Sequence, residues 1–307
     1  MTTHPHTPDA APTAPLTSNV TDVALVLEGG GMRASYTSGL VNVLLENGLH
    51  LDWVGGISAG SSLLSNYVSR DAWRNRHSFT DFVTDPRFGD WRTFARGRGI
   101  FHAEYIYEQA GRPGGSLPFD WATFAANPAR LRIGAFDAAS GESVHWGRDD
   151  VTTMDDLMRK VRASSTMPVL MPPVVIDGRT YVDGALGSGA GIPLDAAEDD
   201  GFSRFLVVLT QQRDYVKPEA SGDWFFRRWF RRFPAVAEAL ATRPARYREM
   251  RERIFDLESD GRAYVFAPEA MTVGNGERSV PVLRDSHARG VAQAWRELPA
   301  IRDFLGV

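Results

Sequence analysis

Trp53-Val54-Gly55-Gly56-Ile57-Ser58-Ala59-Gly60 decides how this chain is read. Trp53-Val54-Gly55 reads as a short buried strand, and Ala59 to Arg70 reads as a helix. Between them, Gly56-Ile57-Ser58-Ala59-Gly60 is a G-x-S-x-G motif in the strand-to-helix setting of a nucleophile elbow. Small flanking residues allow the tight turn and expose the serine Oγ. The helix N-terminus favours negative charge developing there. The same residues also fit a glycine-rich turn in which Ser58 only caps the helix.

Upstream, Val23-Ala24-Leu25-Val26-Leu27 reads as a buried parallel strand, and Ala34 to Asn47 as a helix stopped by Gly48. Gly29-Gly30-Gly31-Met32-Arg33 joins them. Consecutive glycines let backbone N–H groups converge where no Cβ obstructs. Three readings fit: an oxyanion hole, a phosphate cradle of a dinucleotide fold, or a helix start packed closely on a sheet. The cradle fits least well. Asp52 precedes the second strand instead of ending it, and a serine elbow has no place in that fold.

Downstream, Val174-Val175-Ile176, Asp177-Gly178 and Thr180-Tyr181-Val182 form a hairpin signal. Asp183 ends it and precedes Gly184-Ala185. A carboxylate delivered by an apolar strand into a cleft gains basicity through desolvation, as a general base requires. An ordinary Asp-Gly turn is the alternative. Of the histidines, only His287 follows an acid in the order of an α/β-hydrolase triad. Its flanks, Arg284-Asp285-Ser286 and Ala288-Arg289, read as an exposed helix start.

Strands are also expected at 131–136, 143–146, 205–209 and 263–266, and helices at 153–163, 234–258 and 289–305. Residues 71–128 are aromatic-, Arg-, Gly- and Pro-rich with weak periodicity and read as an insertion or cover of short helices and loops. Strands alternating with helices give an α/β sandwich with a mostly parallel sheet. Residues 1–20 read as a disordered tail, 21–213 as the catalytic domain, and 214–307 as a helical extension packed on it.

Taken together, G-G-G-x-R, G-x-S-x-G and D-G-A resemble the motifs of the bacterial patatin-like phospholipases, over about residues 22–210. Ala163-Ser164-Ser165-Thr166-Met167-Pro168 adds to that resemblance, and Arg253 to Phe266 resembles the C-terminal extension of one subgroup. The resemblance implies a three-layer αβα fold and hydrolysis of lipid acyl esters by a Ser–Asp dyad, with no metal or cofactor. It assigns Ser58 as nucleophile, Asp183 as base, and Gly29, Gly30, Gly31, Met32 and Arg33 as the oxyanion hole. Gly56, Gly60, Gly184 and Ala185 support these motifs. A non-catalytic lipid-binding protein of the same fold and a Ser58-Asp183-His287 esterase are the alternatives.

In 223–234, Phe226, Trp229, Phe230 and Phe233 share one face at helical spacing, and Arg227, Arg228, Arg231 and Arg232 fall on the other, with Trp224 near the start. This fits either a short interfacial helix on an anionic membrane, a cleft cover, or a helix packed on the domain with solvated arginines. The expected placement is cytoplasmic, with peripheral contact at the inner membrane surface.

The 307 residues are 43% hydrophobic and 23% charged, which suits a globular chain and excludes a fibrous or disordered one. A net charge of −4 gives no basic field for nucleic acid. The absence of cysteine excludes disulfides, thiolate metal sites and a thiol nucleophile. No apolar run is long enough to span a bilayer.

Overall fold

A computed structural model describes residues 12, 14–90, 93, 96–97, 99–219 and 222–307. Their sheet comprises β1 (Ala24–Leu27), β2 (Trp53–Ile57), β3 (Arg130–Asp137), β4 (Ser143–Trp146), β5 (Val174–Ile176), β6 (Arg179–Asp183), β7 (Phe205–Val208) and β8 (Ala263–Phe266). The order is β5-β6-β3-β2-β1-β7-β8, with β4 also paired to β3. β3, β2, β1, β7 and β8 run parallel, whereas β4, β5 and β6 are joined by antiparallel pairings.

The central strands are apolar on both sides because helices cover both faces. α1 (Ala34–Glu46), α2 (Ala59–Val68), α3 (Ala72–Phe79), α4 (Trp121–Ala126), α5 (Met154–Ser164), α6 (Leu194–Asp199), α7 (Asp223–Trp229), α8 (Pro234–Ser259) and α9 (Val280–Leu305) follow in chain order. Leu25, Leu27 and Val208 face Leu40, Leu64, Leu157 and Ile301 of α1, α2, α5 and α9. Ala24, Val26 and Val207 face Leu194 of α6 and Tyr247 and Ile254 of α8. The result is an αβα sandwich.

Several expectations are revised. The segment 14–20 is held: Val20 bridges to Leu51, Asn19 Nδ2 donates to the Gly48 carbonyl at 2.9 Å, and Arg70 donates to the Thr17 carbonyl at 2.6 Å. Residues 1–11 and 13 of the expected tail lie outside the described residues. α9 begins at Val280, ahead of the expected Arg289, because Pro281 sits in its first turn, where a missing N–H costs little. His287 therefore lies inside a helix and is buried against α1, with Nδ1 2.9 Å from Ser38 Oγ. The expected exposed helix start is incorrect.

The amphipathic reading of 223–233 is also incorrect in detail. α7 stops at Trp229, so one helical face does not persist to Phe233. Phe226, Phe230 and Phe233 turn inward onto Phe136, Val182 and Leu186. Trp229 instead points outward with Trp224 and Phe225, and these three are 54%, 79% and 42% exposed.

Candidate active site

Strand register brings the two motif residues together. β2 pairs with β3 up to Ile57–Gly134, and β6 then takes over the same edge of β3 at Asp183–Ala135. The two strands run toward each other, so the residue after β2 meets the residue that ends β6. Ser58 Oγ donates to Asp183 Oδ2 at 2.9 Å. Asp183 Oδ1 accepts from the Ala185 N–H at 2.8 Å, which fixes the carboxylate plane.

Ser58 is held at φ 55°, a conformation that costs a non-glycine residue roughly 1–3 kcal/mol and persists only under surrounding constraint. The constraint is visible. The Ser58 N–H donates to Ser164 Oγ at 2.8 Å, and that hydroxyl donates to the Gly134 carbonyl at 2.5 Å. A Cβ on Gly60 would strike the Leu27 carbonyl, and one on Gly56 would strike Gly60 itself. Gly184 rests on the Gly134 carbonyl in the same crowded seam.

Burial raises the Asp183 carboxyl above its ordinary range, opposed by its bond from Ala185, the positive charge of Arg243 and its bond from Ser58. A desolvated carboxylate of this kind is a stronger base than one in water. Ser58 and Asp183 are 8% and 6% exposed. Among the described residues, no histidine hydrogen-bonds to either. His287 is engaged with Ser38, and burial lowers its pKa to about 4.

The glycine loop is more selective than its sequence suggests. The Gly29 N–H donates to the Gly191 carbonyl, the Met32 N–H to the Asn275 carbonyl, and the Arg33 N–H to the Gly30 carbonyl. These three donors of the expected oxyanion hole are committed elsewhere. Among the described residues, the Gly30 and Gly31 N–H groups have no acceptor. Gly31 has φ +55°, and its α-carbon lies against the Asn275 carbonyl.

Ser58 opens onto a cavity with about 740 Å³ of empty space, part of it continuous with solvent. Met32, Phe79, Phe82, Phe101, Leu117 and Met171 give it an apolar lining, and Asn275 lies at its edge. Much of this wall comes from 71–128, so the irregular segment surrounds the space beside Ser58. No group of side chains among the described residues could hold a metal ion.

Sequence reasoning alone does not single out Ser164, Arg243 or Asn275 as site residues. Ser164 lies in the quoted Ala163–Pro168 stretch. Arg243 and Asn275 lie far along the chain, outside any motif.

A family model described as patatin-like phospholipase matches residues 25–197. A second, described as a domain of unknown function (DUF6363), matches 233–306. The uncharacterized protein YjjU of Escherichia coli is 24% identical over 286 residues, covering 87% of this chain and 74% of that protein. Lysophospholipase NTE1 of Mycosarcoma maydis is 27% identical over 226 residues, covering 67% of this chain but only 10% of that protein. The NTE1 of Pyricularia oryzae is 29% identical over 220 residues and is covered to 14%. Among solved structures, VipD from Legionella pneumophila aligns at a TM-score of 0.49 and 12% identity, over 92% of this chain and 67% of that one. With G-G-G-x-R, G-x-S-x-G and D-G-A all inside the matched segment, the chain belongs to the patatin-like phospholipase family.

Proposed function

We propose that this lipid ester hydrolase works through Ser58 as nucleophile and Asp183 as general base, with Gly30 and Gly31 as oxyanion donors. The observation that carries the proposal is the 2.9 Å bond from Ser58 Oγ to a buried carboxylate whose proton affinity is raised. Ser58 Oγ attacks the ester carbonyl as its proton passes to Asp183 Oδ2. The carbonyl oxygen gains the negative charge, and the two free N–H groups stabilise it. Collapse breaks the acyl–oxygen bond, and the departing alkoxide takes the proton from Asp183. Water then gives its proton to Asp183 and attacks the acyl-enzyme. Collapse of the second oxyanion returns Ser58 with that proton.

The apolar cavity suits an acyl chain, and we assign it that role. This makes phospholipid or lysophospholipid acyl esters the expected substrates, as the names of the NTE1 relatives suggest. The decisive experiment is labelling with a fluorophosphonate, which forms a covalent adduct with an activated serine, followed by analysis of lipid products. Labelling at Ser58 and release of fatty acid are expected. Absence of labelling in an active preparation would overturn the assignment.

We further infer that α7 brings the enzyme to lipid. No helix among the described residues is long and apolar enough to cross a membrane. Yet Trp224, Phe225 and Trp229 project into solvent beside exposed Arg227, Arg228, Arg231 and Arg232, on a chain of net charge −4. Such a patch complements an anionic bilayer, with aromatics entering the interface and arginines meeting headgroups. The inward aromatics also link α7 to the cavity rim. Phe226 and Phe233 share an apolar cluster with Val169, whose loop neighbours Met167 and Met171 line the cavity.

A further inference from the structure

The glycine loop is held by the far end of the chain. Asn275, in the loop between β8 and α9, accepts the Met32 N–H on its carbonyl at 2.9 Å. Its side-chain Oδ1 accepts from Arg33 Nη1. Gly31 immediately precedes these two contacts and has a left-handed conformation, so close to the Asn275 backbone that a Cβ would collide with it. One residue therefore grips the loop at Met32 and Arg33 and crowds Gly31 just before them, whose N–H has no acceptor among the described residues.

Asn275 is itself braced. Three residues on, Arg278 donates to the Gly89 carbonyl at 2.5 Å. Its guanidinium lies 5.6 and 5.1 Å from the ring centres of Phe88 and Phe101. Gly276 lies against Phe101, which lines the cavity. The loop thus ties the oxyanion segment to the cavity wall. The residues matched by the domain of unknown function are 233–306, so both Asn275 and Arg278 belong to it.

We propose that this C-terminal unit completes the active site, and that Asn275 is a positioning residue setting the direction of the Gly30 and Gly31 N–H groups. The proposal rests on the oxyanion role assigned above. An oxyanion hole works only when its donors point at the place the charge will occupy, and a displacement of about 1 Å can cost about a hundredfold in rate. Gly31 has no side chain to fix its peptide, so its position depends on its neighbours. The Arg33–Asn275 contact supplies the side-chain part of that restraint.

The test is Asn275→Ala in the full chain, assayed on a soluble short-chain nitrophenyl ester. Asn275 is exposed, so truncation removes little packing. The expected result is a fall in kcat of about tenfold or more with KM changed by less than about twofold, as for loss of an interaction made in the transition state. Fluorophosphonate labelling of Ser58 should slow in parallel, while the melting temperature stays near that of the wild type. Asn275→Asp keeps the oxygen that accepts from Arg33 and should recover most of kcat. An unchanged kcat in Asn275→Ala, or an Asp variant as impaired as the Ala variant, would overturn the proposal. Ser58→Ala separates the two readings. If it stays active, the dyad itself fails. If it is inactive while Asn275→Ala is fully active, only the positioning role fails.

Discussion

Two stretches of this chain draw on aromatics and arginine and meet opposite fates. Both the 79–105 segment and the 224–233 segment are rich in aromatics and arginine. In the first, Phe82, Phe88 and Phe101 stack edge to face and are buried. Arg87 there pairs with Asp85 and lies over the Tyr105 ring. In the second, only half of the aromatics find the core. Arg228, Arg231 and Arg232 have no carboxylate partner among the described residues, although Arg227 lies 3.6 Å from Glu238. Partners separate the two: the first segment carries its own acids, Asp81, Asp85, Asp90 and Glu104, and the second carries none. Aromatics that meet one another enclose a cavity, and arginines left without acids present charge to whatever approaches.

If chemistry belongs to the enclosed side and lipid approach to the displayed side, substitutions should separate the two. The largest effect should come from the seam between them. Ser58→Ala should reduce hydrolysis by on the order of 10⁴-fold or more on soluble and vesicular substrates alike, with stability changed by less than about 1 kcal/mol. Asp183→Asn should be nearly as damaging, because asparagine keeps the shape but cannot take the proton. Near-wild-type turnover by either variant on a nitrophenyl ester would remove that residue from the mechanism.

Asp183→Asn should also change stability with a definite sign. Burial raises the folded-state pKa, so the native state holds the proton more tightly than the unfolded chain does. Stability therefore falls as pH rises from the ordinary carboxylate range through the raised value. The melting temperature of the Asn variant relative to wild type should accordingly increase across that window. A difference that is flat in pH would contradict the raised value.

Replacing Arg227, Arg228, Arg231 and Arg232 with Gln should weaken binding to vesicles containing anionic lipid by tenfold or more, since each arginine near such a surface is worth about 1 kcal/mol. Turnover of a soluble ester should be unchanged, and the deficit should shrink as salt rises. Equal loss on both substrates would make the segment structural. A smaller, chain-length-dependent effect is expected from Met167→Trp, which narrows the cavity. Long-chain esters should lose about tenfold relative to short ones, and uniform loss would show that the acyl chain lies elsewhere.

The smallest effect on catalysis belongs to His287→Ala. Activity at 25 °C should stay within about twofold while the protein becomes easier to unfold, by roughly 1–3 kcal/mol. With its pKa lowered to about 4, His287 is neutral in the fold. The unfolded chain binds more protons between its ordinary value and that one, so wild-type stability falls as pH drops through this window, by up to about 3 kcal/mol. The variant should lose this acid sensitivity, as urea melts at neutral and acidic pH would show.

The elbow, the β1 loop and the D-G-A hairpin are legible in the sequence because each is short, locally patterned and bounded by glycine. The αβα layering follows from apolar strands alternating with helices. What sequence conceals is long-range or polar. Ser164 hides in a helix end, and Asn275 lies in a loop with no periodicity. Ser286 and His287 look solvated because charged neighbours flank them, yet they meet Ser35 and Ser38 across a helix interface. The aromatic spacing continues past the end of α7, whereas Pro234 forces Phe233 out of helical geometry, with φ −134°.

The close contact between α1 and α9 limits how this enzyme can be dissected. Gly39 and Gly290 bring the two backbones together, and Gln293 meets the Tyr36 hydroxyl there. Cutting the chain after residue 213 would strip this partner from α1, leave the edge of β7 unpaired where β8 had been, and uncover Leu40 and Leu206. The fragment carrying every recognisable motif would be a sticky, poorly folded polypeptide. Expression trials, protease-trimming studies and domain-fusion designs should therefore keep the two parts together.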